Sequence, residues 1–365
     1  MDSVTFLLGL PRRDIVALLV GFFVAQLVAR QIYQLFVYPC FVSPLRHLPG
    51  PKDHHFLLSQ VVNQIRSGSP NQPYLFWMRR WPRAHLIRYF NVANSDAVLV
   101  ASLAAHKEIL RDKTYSFQKP PFFARLIADI IGLGLVFAEG DEQKSQRKVL
   151  LGLFSPSHLK ALFPLFRSKA RHLSHLIDRT VETDSGIVEL MSLYSKITLD
   201  IMGDFALGVE LDNLNNFTRE VLRLRCPGVN VSREAVEDVV IQGVFLPKGT
   251  TVIMQPAIVQ LNPTIWVPDC DEFEPDRWDH LEGEAADPWA STALSQGPRV
   301  CIGKAVTMLE FKVILIELVA NFDFEALGST KTDEIKLINP SVVLRPDGGL
   351  KVRARRVVAK SASES

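Results

Sequence analysis

Cysteine is scarce in this chain. Four residues, Cys40, Cys226, Cys270 and Cys301, occur among 365. So few thiols make no disulfide scaffold, and no two of them stand at the C-x-x-C spacing of a zinc or redox motif. Net charge is scarce as well. Forty-one Lys and Arg against 39 Asp and Glu leave +2, so no basic field draws in nucleic acid. Internal repeats are absent, and low complexity is confined to a short Ser/Ala/Glu tail. What the chain has in quantity is apolar surface. The hydrophobic fraction is 47% against 22% charged, which rules out a disordered chain. Twenty-two Phe stand beside 5 Trp and 6 Tyr, a bias that suits an interior accepting a large apolar guest. Length allows two to three units of about 150 residues, or one large fold.

The longest apolar run is IVALLVGFFVAQLVA, residues 15–29, with Gln26 its only polar member. As a helix it spans roughly 22 Å, short of a ~30 Å hydrocarbon core. Continued to Tyr38 it reaches roughly 36 Å, which is enough. Arg30 then lies near one end, where its stem can snorkel, and Tyr33 and Tyr38 fall in the headgroup belt. A cleaved signal would want small residues at −1 and −3, but Ala29 is preceded at −3 by Leu27. A core helix would show a polar face, and this one has none. Residues 1–38 therefore read as a membrane anchor and the lipid bilayer as a partner. Basic residues balance across the run, Arg12 and Arg13 against Arg30, Arg46 and Lys52, so charge assigns no orientation. Pro39, Pro44, Pro49 and Pro51 then predict a stiff, extended spacer over 39–52, ahead of a globular part from 53 to 360.

In that part, LIRYF (86–90) and DAVLV (96–100) read as strands. Residues 102–112 read as a helix with a Ser start, and 113–139 as a loop-rich stretch lining a cavity. Helical periodicity covers 141–153, 157–180, 188–207 and 215–225. VIQGVFLPKGTTVIM (240–254) predicts a hairpin turning at Leu246-Pro247-Lys248-Gly249. A long apolar helix covers 303–320, and the last forty residues alternate like short strands. The fold class is mainly α with a minor β-sheet.

The chemistry concentrates at Cys301, in LSQGPRVCIGKAVTMLEF. Gly297 and Gly303 bracket the thiol, and glycine lets backbone approach a flat cofactor closely. A cysteine ahead of a helix feels its positive end, which favours the thiolate. Arg299 adds a cation able to hold a carboxylate. A lone thiolate is a poor zinc site, yet it suffices as the single axial ligand of haem iron. The alternatives are an inert core thiol and a phosphate loop, but Ala305 replaces the Ser/Thr of a phosphate loop and the glycine spacing is wrong.

Gly297, Arg299, Cys301 and Gly303 resemble the haem-binding loop of the cytochrome P-450 monooxygenases, Phe-x-x-Gly-x-Arg-x-Cys-x-Gly, with Leu294 in the Phe position. Glu220 and Arg223 match that family's Glu-x-x-Arg, and at i, i+3 they share a helix face. FEPDRW (273–278) supplies Arg277, which the resemblance adds as the third member of a buried structural ion triad. GDEQKSQRKVL resembles the family's Trp-x-x-x-Arg helix, with Gln143 in the Trp position and Arg147 as a propionate contact. The resemblance implies the P-450 fold around haem b, with Cys301 as axial iron ligand and Arg147 and Arg299 neutralising propionates. It implies electrons from NADPH through a flavoprotein reductase, one oxygen atom from O2 entering an apolar small molecule, and a single-pass place in the endoplasmic reticulum membrane with a cytosolic globular part. The chain looks like a filamentous-fungal biosynthetic enzyme of terpenoid or polyketide secondary metabolism, an analogy of general appearance.

One element of the family is missing. The helix ending near Leu207 is followed within a dozen residues by the one carrying Glu220. The family places between them the long distal helix with its acidic–Thr motif. Thr250-Thr251, the only Thr pair, lies in the expected hairpin and cannot serve, so no distal catalytic residue is identified. The expected seam is 207–216, and the opposing reading is a non-catalytic, truncated membrane-bound form.

Overall fold

Period-2 alternation in two short strands organises the first half of the molecule. In the computed structural model, β1 (Leu86–Phe90) pairs antiparallel with β2 (Asp96–Val100), Leu86 opposite Val100 and Tyr89 opposite Ala97. Successive side chains point to opposite faces. Leu86, Val98 and Val100 thus enter one core, with Leu45, Ile109 and Leu246, while Ile87, Tyr89, Ala97 and Leu99 enter another, with Tyr74 and Trp77. The structure describes residues 12–53, 55–56, 58–67, 71–122, 134–155, 157–158, 162–183, 186–205, 216–226, 231–266, 269–327, 337–338 and 345–357.

From the N-terminus, α1 (Arg12–Ile32) runs into a π-helical extension, Tyr33–Val42. After α2 (Val61–Arg66), α3 (Gln72–Arg80) and the β1–β2 pair comes α4 (Leu103–Lys107). Ser102 caps α4 by accepting the Ala105 N–H. Then follow β3 (Phe117–Gln118), α5 (Gly140–Leu150), α6 (Phe163–Thr183), β4 (Ile187–Glu189) and α7 (Leu190–Phe205). Next are α8 (Asn216–Leu224), β5 (Val231–Ala235), β6 (Val239–Ile241), β7 (Val244–Leu246), β8 (Thr251–Met254) and α9 (Pro256–Gln260). The chain closes with α10 (Lys304–Asn321), β9 (Phe322–Ala326), β10 (Leu337–Ile338), β11 (Arg345–Pro346) and β12 (Lys351–Arg356). The fold is mainly helical with small sheets, as expected.

The main sheet has the order β1-β2-β8-β5-β3, with β8 parallel to β2 and antiparallel to β5. A third core lies in a helical half. Phe166, Ala170, Leu173 and Ile177 form one stripe of α6 at helical spacing, and it meets Val306, Leu309, Val313 and Ile314 of α10. The sheet β4-β12-β9 closes that core through Val188, Val352 and Ala354.

Three expectations change. The hairpin turns at Gln242-Gly243, not at Leu246–Gly249, because both residues hold positive φ (49° and 76°), as a two-residue type I′ turn demands. β8 is left free to join the main sheet. The helix expected from 188 begins as a strand, because Ile187–Glu189 find open backbone partners on β12. The extended spacer does not begin at Pro39, which lies buried inside the π-helical extension. Widening the turn tolerates the proline ring, which an α ladder rejects. Residues 44–47 are a 3₁₀ turn, and Pro49 accepts the Arg88 N–H at 2.8 Å. The expected seam lies outside the described residues except for Asn216, as do 123–133 of the cavity-lining loop and 159–161 of the helix begun at 157.

Among the described residues one helical span, Val16–Val42, is long and apolar enough to cross a membrane, and none of its most apolar window is buried.

Candidate functional site

The Cys301 loop is held by its own backbone. The Cys301 N–H donates to Leu294 O at 3.0 Å, and the Lys304 N–H that opens α10 donates to Cys301 O at 3.3 Å. Gln296 Nε2 braces the loop's base on Pro288 O and Ser291 O. Gly297 sits at φ +72°, and a Cβ there would stand 2.3 Å from Leu110 O. Its freedom therefore serves a close approach to the 108–112 turn, whereas a Cβ on Gly303 would meet only ordinary contacts, Cys301 Sγ and Phe154 among them. The Cys301 side chain is exposed at the loop's end.

The Arg299 side chain is 6% exposed and pairs through Nη2 with Glu139 Oε2 at 2.5 Å. Its Nε and Nη1 are buried with no hydrogen-bond partner, and each such donor costs about 1–3 kcal/mol if left so. Glu139 Oε1 accepts the Lys119 N–H at 3.0 Å and faces Lys119 Nζ at 3.1 Å. Arg233, on β5, feels the same carboxylate and the same guanidinium, and burial pushes it down to about 10. Burial also lowers Lys119. Burial raises the Glu139 carboxyl, but the Lys119 amide and the two cations outweigh it and hold it below its usual range. Three positive charges around one carboxylate leave an excess of two, with two guanidinium nitrogens to spare. A cofactor with two carboxylates fits that deficit, so the residues present suit the group that the Cys301 loop suggests. Lys119, Glu139 and Arg233 escaped the sequence reading. The one sequence signal was the pattern Val-Ser-Arg-Glu-Ala, which puts Arg233 on an alternating strand.

Arg147 is half-buried on α5 and makes no ion pair among the described residues. Gln143, one turn before it, is buried. The structure thus joins α5 to the Cys301 loop through Glu139, the residue just before the helix, and not through Arg147.

Glu220, Arg223 and Arg277 come together. Arg223 Nε and Nη2 reach the two Glu220 oxygens at 2.9 and 2.7 Å, and Arg277 Nε reaches Oε1 at 3.0 Å. The Glu274 N–H and Trp278 Nε1 complete five donors. Arg223 also donates to the carbonyls of Gln260, Cys270 and Glu272. The cluster pins α8 to 269–278. Cys226, just past α8, lies 3.6 Å from Ala293 O of the Cys301 loop. A cavity of about 350 Å³ between them is lined by Leu222, Trp278, Leu294, Lys304 and Met308, among others. No group of three or more metal-ligating side chains occurs among the described residues.

The sequence profile described as Cytochrome P450 matches residues 49–216 and 210–352. The chain is 23% identical to cytochrome P450 monooxygenase sphH of Aspergillus fumigatus, over 82% of this chain and 86% of that one. It is 20% identical to cytochrome P450 monooxygenase FUM15 of Gibberella moniliformis, over 90% and 91%. It is 29% identical to cytochrome P450 monooxygenase FSL4 of Gibberella zeae, over 59% and 40%.

Proposed function

This chain belongs to the cytochrome P450 family, and from that premise we propose that it is the haem-holding frame of a membrane-bound monooxygenase acting on an apolar small molecule. The family implies a haem cofactor and a redox partner that supplies electrons. Our reading makes these haem b and an NADPH-dependent flavoprotein reductase, on the cytosolic side of the endoplasmic reticulum membrane. The fungal relatives are monooxygenases by name, and our reading places this chain in the secondary metabolism of a terpenoid or polyketide. When bound, the haem supplies the reductive activation of O2, by which one oxygen atom enters the substrate and the other leaves as water. Cys301 would hold the iron through its thiolate, and that anionic sulfur would supply it with electron density. Gly297 and Gly303 shape its loop. Arg299, with Arg233 and Lys119, would hold the propionates, and Arg147 of α5 would be the further propionate contact that the family pattern adds. Glu220, Arg223 and Arg277 keep the loop's support rigid.

The observation that carries this reading is the pairing, in one loop, of an exposed thiol with a buried guanidinium that has two nitrogens unpartnered. Cys301→Ala tests it. The variant loses any thiolate-type absorbance of the ferrous–carbonyl haem, and an unchanged spectrum removes Cys301 from the site. The anchor is tested by deleting residues 1–38, which releases the protein from membranes at least partly. Carbonate-resistant pelleting of the deletion at the parental level would show that another contact dominates.

A second reading, a shortened and non-catalytic form, is favoured by how the similarity is distributed. The profile matches as two segments that meet at 210–216. Against sphH, 82% of 365 residues is about 299, so about 170 of the 469 aligned positions have no counterpart here. That supports a missing distal segment near 207–216. Without it the site that would hold the cofactor would be open to water, with no ordered path for protons. This chain then binds haem weakly and turns over little substrate, and a form with the segment restored gives a stable spectrum and reductase-dependent oxygenation. Equal turnover by the two forms would overturn the second reading, and a transcript read across codons 205–216 locates the seam.

A further inference from the structure

The point where the membrane helix leaves the bilayer is built around two prolines, Pro39 inside the π-helical extension and Pro44 just after it. In the π register Pro39 O would receive the N–H of residue 44, which is proline and has none, while the Ser43 N–H is taken by Tyr38 O at 2.8 Å. Side chains of the β1–β2 pair meet this carbonyl and that of Leu35, one turn earlier. Asn94 Nδ2 donates to Leu35 O at 3.0 Å and to Phe56 O at 3.1 Å. Arg88 Nη2 donates to Pro39 O.

The two donors are themselves fixed. Asn94 is buried at φ +52° in the β1–β2 turn, and its Oδ1 accepts Ser59 Oγ at 2.7 Å. Arg88 lies in the middle of β1, and its Nε bonds Asp96 Oδ1 at 2.7 Å. The other oxygen of Asp96 accepts Ser43 Oγ at 2.5 Å. Around these bonds Phe36 stacks on Phe56 with centroids 4.8 Å apart, and Leu45 is buried in the core beneath the sheet. Pro49 O then accepts the Arg88 N–H, and a Cβ on Gly50 would overlap Arg88 O at 1.8 Å. From residue 35 to residue 50 the chain is gripped at seven residues.

We infer that Asn94 and Arg88 form a receptor for the exit turn of the membrane helix. The carbonyls of Leu35 and Pro39, the second bared by Pro44, are its ligands, and the helix and the sheeted half move as one rigid body. The consequence is orientational. A tether would let the globular part swing over the bilayer, whereas this clamp presents it at one tilt. The inference rests on the reading of α1 as a membrane helix.

The test is a distance measurement on the full chain in phosphatidylcholine nanodiscs and again in detergent. Nitroxides are carried on p-acetylphenylalanine in place of Val24, in the helix, and Lys248, in an exposed loop of the sheeted half, so Cys40 and Cys301 stay unlabelled. Pulsed dipolar spectroscopy gives a single narrow distance for the parent. Asn94→Asp keeps the size and the acceptor but cannot donate to Leu35 O. Arg88→Lys keeps the charge beside Asp96 but loses the fork that reaches both Asp96 and Pro39. Their combination broadens the distribution at least twofold while far-UV dichroism stays parental. If the combination unfolds, the single Arg88→Lys variant carries the test with the same expected direction. A broad distribution in the parent, or a parental width in the folded variants, overturns the inference. The anchor reading fails separately: a parent that does not float with phosphatidylcholine vesicles overturns the membrane helix, while the narrow distance in detergent would still stand.

Discussion

Replacing Glu220 by Gln isolates the cluster that holds α8 to the 269–278 segment. Glu220 is fully buried and receives five donors, two from Arg223, one from Arg277, and those of the Glu274 amide and Trp278. Gln is isosteric but neutral, and its amide nitrogen must face donors. Arg223, 1% exposed, then becomes a buried cation without a counter-ion. Removing one partner of a buried pair costs about 3–5 kcal/mol, or roughly 6–10 °C in Tm at about 2 °C per kcal/mol for a large domain. Glu282→Gln, on an exposed carboxylate, is the control and shifts Tm by under about 1 °C. The pH dependence gives a second arm. Burial raises the Glu220 carboxyl, but the Arg223 bonds and the Glu274 amide more than offset this and hold it below 4.5 in the folded state. An acid whose folded pKa is depressed contributes stability that is present above its unfolded pKa and lost as pH falls through the folded value. The gap between parent and variant in urea denaturation is therefore full at pH 7 and narrows below about pH 4.5. A variant within about 1 kcal/mol of the parent at pH 7, or a gap that persists into acid, would refute the reasoning.

Two further outcomes follow from single positions. Gly297→Ala puts a Cβ 2.3 Å from Leu110 O at positive φ and costs more than about 2 kcal/mol. Gly283→Ala, at φ +57° but in open space, costs about 1–2 kcal/mol from backbone strain alone; equal costs in thermal unfolding would remove the Leu110 contact from the account. Glu310, buried on α10 with Oε1 unpartnered, is pushed up by burial to about 7. Its folded pKa lies above the unfolded 4.5, so the parent loses stability as pH rises from about 4.5 to about 7. Glu310→Gln removes that slope and gains roughly 1–3 kcal/mol at pH 8 relative to the parent, discounted for partial exposure. A parent whose urea midpoint is flat between pH 5 and pH 8 contradicts it.

Local pattern alone determined a good deal of this protein. The apolar runs of Leu86–Phe90 and Asp96–Val100 specified two strands, and the structure buries both of their faces because strand side chains alternate. The i, i+3 spacing of Glu220 and Arg223 was enough to put them on one face. The Gly-x-Arg-x-Cys-x-Gly string located the thiol loop, since a tight turn and a close approach need particular residues at particular spacings. Tertiary structure decided the rest. Glu139 lies 160 residues from Arg299 in sequence, so no periodicity links them, and the excess of cations there exists only once β5 and the loop before α5 converge. The parallel union of β2 with β8 likewise depends on a partner about 150 residues away. The prolines after the apolar run are the sharpest case. Their sequence predicts an extended spacer because proline removes N–H donors, yet the Pro39 carbonyl that Pro44 strips becomes an acceptor for Arg88, and Leu35 O, one turn earlier, one for Asn94. Whether a bared carbonyl meets water or a side chain is decided by what folds against it, and that lies beyond any window of neighbouring residues.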